Sequence, residues 1–196
     1  MKLEITKEEG NKLNFELAGV NTSFANAVRR YMIKSVPTFA IEEVTFYENS
    51  SPIFDEYISH RIGLVPIFTP EDVPKEAEIT FYLDTKGPRT VYSEELESKD
   101  KEVKVARGKI PLVTLSDGQT LRLEGKAFLR TAEKHAKFQP GLAAYEIAGE
   151  TYKFTVESFF QMPPRELLAR ALAILDDDLE ALHKQLHKAE KGSKKK

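Results

Sequence analysis

The sequence predicts an α+β protein in which β-hairpins alternate with helices. Short segments of alternating apolar and polar residues, separated by turn residues, are typical of paired antiparallel strands. Other segments repeat their apolar residues at helical spacing, and the last of these covers about two dozen residues. No internal repeat is visible in the 196 residues. The alternation of the two patterns places the chain in the α+β class.

The chain begins with a predicted hairpin. Residues 2–6 and 12–18 each alternate apolar and polar side chains, and Glu9, Gly10 and Asn11 supply turn chemistry between them.

A helix follows this hairpin and ends before Pro37, because the residue before a proline avoids the α-helical region. Asn21 or Thr22 can cap the helix, since a side-chain oxygen there accepts a hydrogen bond from a free N–H of the first turn. The predicted buried face holds Phe24, Val28, Tyr31 and Ser35. Arg29 and Arg30 lie next to that face.

The middle of the chain, residues 49–141, predicts an inserted β-rich subdomain. The elements predicted in and just before it are a strand over 39–47, a helix over 53–64, and strands over 78–84, 90–93, 110–115 and 120–130. Residues 94–104 are mostly charged and predict a solvated loop. The sequence SDGQ at residues 116–119 is typical of a hairpin turn, so we expect the two strands beside it to pair.

The C-terminal part predicts a second hairpin, over residues 145–147 and 152–158, and then a helix that begins after Met162. Pro163 and Pro164 suit a helix entry, where the first N–H groups need no partner. Leucines recur along this helix at steps of four and three, which is the seam spacing of a coiled coil. They are Leu168, Leu172, Leu175, Leu179, Leu182 and Leu186. The charged tail, residues 191–196, is predicted to be disordered.

Composition excludes several classes of protein. A net charge of −2 does not indicate a nucleic-acid binder. No apolar run reaches the length of a membrane span, and the N-terminus has no signal peptide, so we expect a cytoplasmic protein. The absence of cysteine excludes disulfides, thiolate metal sites and a cysteine nucleophile.

Several separate blocks of the sequence closely resemble the D-subunit family of archaeal RNA polymerase, which is related to the third subunit of eukaryotic polymerase II and to the N-terminal domain of the bacterial α subunit. The matching residues in the first block are Asn26, Arg29, Arg30, Val36, Pro37, Glu42, Glu43, Phe54, Asp55, Glu56, His60, Arg61, Pro66 and Ile67. The segment HAKFQPG at 135–141 and the segments KFTVES and MPP before the last helix also match. The resemblance covers almost the whole chain.

This resemblance implies a structural subunit of DNA-dependent RNA polymerase without catalytic residues of its own. It implies a dimerisation domain over 1–48 and 142–196, which pairs with subunit L to form the platform for subunits N and P and the large B subunit. The active-site magnesium would belong to the large subunits, and we expect no base-specific contact with nucleic acid. Many family members carry a ferredoxin-like insert with iron–sulfur clusters before the final strand. Here only residues 142–151 separate Gly141 from Tyr152, so we expect no cluster and no other cofactor.

Arg29 and Arg30 have three interpretations from the residues alone. They are suited to a phosphate, to a bidentate pair with a carboxylate on another protein, or simply to a solvated helix face. The resemblance favours protein docking.

The leucine seam has two interpretations. It covers the protein's own sheet, or its distal half binds another chain. The helix is longer than one small sheet needs. We therefore expect Leu168, Leu172 and Leu175 to be internal, and Leu179, Leu182 and Leu186 to form an interface.

Other polar groups indicate no catalysis. Glu56 with His60, and His183 with His187, have the spacing of metal ligands, but each pair lacks a third ligand. The carboxylates Asp176, Asp177 and Asp178 point in different directions from one helix. The second-ranked hypothesis is a homodimeric binding module built on the leucine seam, and an enzyme ranks third.

Overall fold

The computed structural model describes residues 1–74 and 76–193, with side chains through residue 189. The elements in chain order are β1 (Lys2–Glu9), β2 (Lys12–Ala18), α1 (Thr22–Lys34), β3 (Thr38–Asn49), α2 (Asp55–Gly63), β4 (Glu78–Lys86), β5 (Arg89–Tyr92), β6 (Glu97–Ser98), β7 (Pro111–Leu115), β8 (Thr120–Arg130), β9 (Gly141–Ala148), β10 (Thr151–Ser158) and α3 (Pro164–Ser193). This mixture of helices and antiparallel sheets confirms the α+β class.

The first sheet has the strand order β1-β2-β10-β9, and α1 and α3 pack on one of its faces. Alternate residues of β2 and β10 are apolar, so one face of the sheet is buried while the other carries polar side chains. Phe15 and Phe154 lie opposite each other in the register, and their rings stack with centroids 4.6 Å apart. Leu167, Leu168 and Ala171 of α3 belong to the same core.

The predicted cap of α1 is correct, but its buried face is shifted. The Asn21 side chain accepts a hydrogen bond from the Phe24 N–H at 2.9 Å. Val28 is buried as expected, with Ala25 and Met32 rather than Phe24 and Tyr31 beside it. Phe24 and Tyr31 are only partly buried and pack against the margin of this core.

The second sheet has the order β3-β8-β4-β6 and forms a separate core with α2. Ile58 and Ile62 on α2 are fully buried, one helical turn apart. They pack with Phe39 and Ile41 of β3 and with Phe81 of β4.

The strand β3 belongs to this second sheet from its first residue, because Thr38 pairs with Arg130 of β8. Val36 lies in the core of the first sheet and Phe39 in that of the second. The two cores therefore divide near Pro37, not at the predicted boundary between residues 48 and 49. The sequence shows β3 adjacent to α1, whereas its hydrogen-bonding partner lies some 80 residues further on. That the two cores are separate folding domains stays a prediction.

The predicted hairpin of β7 and β8 is wrong. Strand β7 pairs with β5, and β8 pairs with β3 and β4. The chain bends at residues 116–119, where the N–H of Gly87, between β4 and β5, donates to the Gln119 carbonyl at 2.8 Å. A Cβ on Gly87 would lie 2.0 Å from the Ser116 carbonyl oxygen, so this crossing requires glycine. The local turn signal was real, but distant strands decide the pairing.

The charged segment 94–104 is also more ordered than predicted. Leu96 and Val103 are buried in the second core, and β6 adds two residues to the edge of β4. The Asp100 carboxylate accepts the backbone N–H groups of Glu102 and Val103 at 2.8 and 3.0 Å, which shapes the turn.

The second predicted hairpin, β9 with β10, is confirmed. Ala148 pairs with Thr151, so the turn consists of Gly149 and Glu150, both exposed. Gly149 adopts φ 64°, a conformation that favours glycine, and nothing lies within 4 Å of the position a Cβ would take.

Helix α3 begins at Pro164, as predicted, and runs to Ser193. Residues 191–193 of the predicted disordered tail therefore continue the helix. The rest of that tail, residues 194–196, lies outside the described residues.

Candidate protein interfaces

The C-terminal half of α3 extends away from the rest of the chain. We call residues 176–189 distal α3, and every one of them is exposed. Leu179, Leu182 and Leu186 form an apolar stripe along it, and they are 52%, 53% and 56% exposed. At 1.5 Å per residue, distal α3 is about 21 Å long.

The proximal half of α3 packs as the leucine spacing predicted. Leu168 and Leu175 are buried in the first core, and Leu172 is partly buried against it. The division between internal and exposed leucines falls after Leu175.

A hydrogen bond fixes the point at which α3 leaves the body. The Tyr31 hydroxyl of α1 donates to the Asp178 carboxylate at 2.8 Å. This bond raises the pKa of the Tyr31 phenol. Asp178 is thus tied to α1, while Asp176 and Asp177 are exposed, as the solvated-face interpretation predicted.

Arg29 and Arg30 differ in their surroundings. Arg29 is half-buried, and its Nε and Nη2 donate to the Asn26 side-chain oxygen at 3.2 and 3.0 Å. Arg30 is exposed and lines a cleft of about 490 Å³ between α1 and α3, which Lys34 and Glu133 also line. Neither arginine pairs with a carboxylate of the described chain. Both guanidinium groups therefore keep donors available for a partner.

The carboxylates Glu42 and Glu43, which follow each other in β3, lie in different surroundings. Glu42 binds Arg130 at 2.9 Å and Lys134 at 3.7 Å. The hydrogen bond from Arg130 holds the pKa of Glu42 below its ordinary value, which suits a structural ion pair. Glu43, the next residue, is exposed and joins no ion pair within the described ranges.

Sequence reasoning missed an apolar groove between α2 and β7, which we call the α2–β7 groove. It has a volume of about 600 Å³. Its lining residues are Pro52, Ile53, Phe54, Tyr57, Arg61 and 111–114. Phe54 and Tyr57 are 71% and 67% exposed, more than any stripe leucine. The signal was present, because these two aromatic residues lie three apart at the start of α2, beside the buried positions.

His183 and His187 face each other with 3.1 Å between their Nε2 atoms. Among the residues whose side chains the structure describes, 1–74 and 76–189, no group of three or more metal-ligating side chains converges. Of the helices described, none has both the length and the apolar character needed to cross a membrane.

Comparison with known proteins gives consistent matches. Residues 14–179 match the model of the RNA polymerase Rpb3/Rpb11 dimerisation domain. The chain is 46% identical over 169 residues to DNA-directed RNA polymerase subunit Rpo3 of Methanocaldococcus jannaschii, covering 86% of this chain and 87% of that protein. It is 40% identical to the Rpo3 subunit of Pyrococcus furiosus and 41% identical to that of Halobacterium salinarum. These two matches cover 74% and 72% of this chain, but only 59% and 57% of those longer proteins.

Proposed function

The chain belongs to the RNA polymerase Rpb3/Rpb11 dimerisation-domain family and is an assembly subunit of DNA-directed RNA polymerase, and we propose that it pairs with polymerase subunit L through distal α3. The observation that carries this proposal is the exposed stripe of Leu179, Leu182 and Leu186 on distal α3. Soluble proteins rarely leave such an ordered apolar stripe uncovered.

Burial of this stripe alone would not give enough binding free energy for a stable complex. Complete burial of a leucine contributes about 1.5–3 kcal/mol, so three half-exposed leucines contribute roughly 3 kcal/mol. A micromolar complex needs about 8 kcal/mol of net binding free energy. The partner must therefore also cover neighbouring surface, and the dimerising unit we propose combines distal α3 with α1 and the first sheet.

Arg29 and Arg30 provide a second docking surface in this proposal. Their free donors suit carboxylates of the large B subunit, because a guanidinium binds a carboxylate through two parallel hydrogen bonds. The pair with subunit L would then serve as the platform on which the large B subunit and subunits N and P assemble.

We infer that the chain contributes no catalytic residue, no cofactor and no base-specific nucleic-acid contact. The net charge of −2 and the ion pairing of Glu42 support this inference. A cytoplasmic location belongs to the same proposal, because the matched relatives are archaeal polymerase subunits and the archaeal genome lies in the cytoplasm.

Native mass spectrometry of the chain alone and mixed with subunit L tests the pairing. We expect a monomer alone and a 1:1 heterodimer in the mixture. A stable homodimer that does not bind subunit L would instead support the second-ranked hypothesis, a homodimeric binding module.

A further inference from the structure

The α2–β7 groove is a second exposed apolar surface, built on the second core and not on the helix that carries the leucine stripe. Ile53, Phe54 and Tyr57 form one wall. Ile53 and Phe54 directly precede α2, and Tyr57 lies in its first turn. All three side chains are exposed, whereas Ile58 and Ile62 of the same helix are buried. These apolar side chains contribute nothing to the second core, so intramolecular packing does not explain them.

The other wall of the groove is a strand with one open edge. β7 pairs with β5 on one side, and no other described strand pairs with it. The Pro111 carbonyl oxygen accepts a hydrogen bond from the Arg61 guanidinium of α2, so this carbonyl faces the groove and not β5. A strand edge with unpaired backbone groups is a template for another extended chain.

The charge in the lining of the groove is positive. Arg61 is the charged residue in its lining, and it joins no ion pair with any described carboxylate. Only its Nη2 is used in the bond to Pro111. The remaining donors are available to a carboxylate, which a guanidinium binds in a planar, bidentate manner.

We propose that the α2–β7 groove binds one extended segment of another polymerase subunit, whose apolar side chains enter the groove and whose carboxylate pairs with Arg61. This proposal rests on the assignment of the chain as a polymerase subunit. It does not depend on pairing through distal α3.

The dimensions agree with a short segment. The five residues of β7 extend over about 17 Å at 3.4 Å per residue. A partner strand of five or six residues matches this length, and its alternate side chains would point toward Phe54 and Tyr57. A volume of about 600 Å³ accommodates several apolar side chains.

Site-specific photocrosslinking in the assembled polymerase tests this proposal. The full chain, with Tyr57 replaced by benzoylphenylalanine, is reconstituted with all other subunits, irradiated and mapped by mass spectrometry. A second chain carries the same replacement at Tyr82, which is exposed on the outer face of β4. We expect crosslinks from position 57 to one short apolar segment of a single other subunit, with an acidic residue inside or beside it. Position 82 should not give that crosslink.

Arg61→Glu provides the matched charge reversal. It should lower the yield of the position-57 crosslink at least about tenfold, while native mass spectrometry still shows the heterodimer with subunit L. A polymerase that contains the chain but gives no crosslink from position 57 overturns the groove proposal alone. So do crosslinks to a second copy of this chain, crosslinks scattered over several subunits, or an unchanged yield in Arg61→Glu. A chain that never enters the polymerase overturns the proposed function, and this proposal with it.

Discussion

Replacing Leu182 by Asp separates the role of distal α3 in pairing from any role in folding. Leu182 is 53% exposed and belongs to neither core. An aspartate there stays solvated in the isolated chain, and an exposed helix position tolerates it at a cost of under about 1 kcal/mol. Circular dichroism and the thermal midpoint of the isolated chain should therefore change little.

The complex should respond very differently. It loses the burial of half a leucine, about 1 kcal/mol. It also buries a carboxylate against an apolar partner surface, which costs about 3 kcal/mol or more without a hydrogen-bonding partner. A total of about 4 kcal/mol corresponds to a weakening on the order of a thousandfold. Size-exclusion chromatography with subunit L, supported by titration calorimetry, measures this loss.

Two control variants make the result specific. Leu64→Asp introduces the same charge at a site of almost equal exposure, 54%, beside the second core, and should leave pairing unchanged. Leu172→Asp should unfold the chain, because Leu172 packs against the first core and the new charge would be buried without a partner. If Leu182→Asp co-elutes with subunit L at full yield, the stripe is not the interface and our reasoning is wrong.

Other parts of the molecule give four further predictions. The double variant Arg29→Ala, Arg30→Ala should still pair with subunit L, but its affinity for the large B subunit should fall roughly thirtyfold, or by about 2 kcal/mol, in a pull-down. Equal recovery of the large B subunit would mean that it docks elsewhere. Gly141→Ala should destabilise the chain by about 2 kcal/mol or more in urea melts, because its Cβ would lie 2.3 Å from a carbonyl oxygen of β10. Glu42→Gln should lower the free energy of unfolding by up to about 1 kcal/mol at neutral pH. The pKa of Glu42 in the folded chain lies below its ordinary value of 4.5, so the wild type loses this advantage as the pH falls through the folded pKa. The thermal melting curves of the two proteins should therefore converge in acid. Elemental analysis of the tag-free protein should find no stoichiometric iron or zinc, and about one metal per chain would contradict this.

Local patterns were sufficient where an element's partner lies next to it in sequence. The hairpins β1–β2 and β9–β10 and the cap of α1 depend on neighbouring residues, and their turn and capping residues predicted them. The length of α3 also predicted that its leucines change from buried to exposed after Leu175, since a sheet of short strands covers only part of a long helix.

Prediction failed where distant segments decide the outcome. The turn at residues 116–119 looked like a hairpin, but β5 and β4 compete successfully for β7 and β8. The strand β3 joined the sheet of β8 for the same reason. Phe54 and Tyr57 were a local signal, but the α2–β7 groove itself could not be predicted. One of its walls comes from residues 52–61 and the other from residues 111–114, and no local pattern links them.

The turn of Gly149 and Glu150 is a position at which the chain tolerates an insertion. Both residues are solvent-exposed, and the β9–β10 register is held by eight residue pairs on one side of the turn, independently of what joins the strands. Closing a loop costs free energy that rises only with the logarithm of its length, so a tenfold longer connection costs about 2 kcal/mol more. An entire additional module could therefore be spliced between these two residues while α1, distal α3 and both sheets keep their geometry. The same subunit architecture can thus exist in short and long forms without redesign of its contacts.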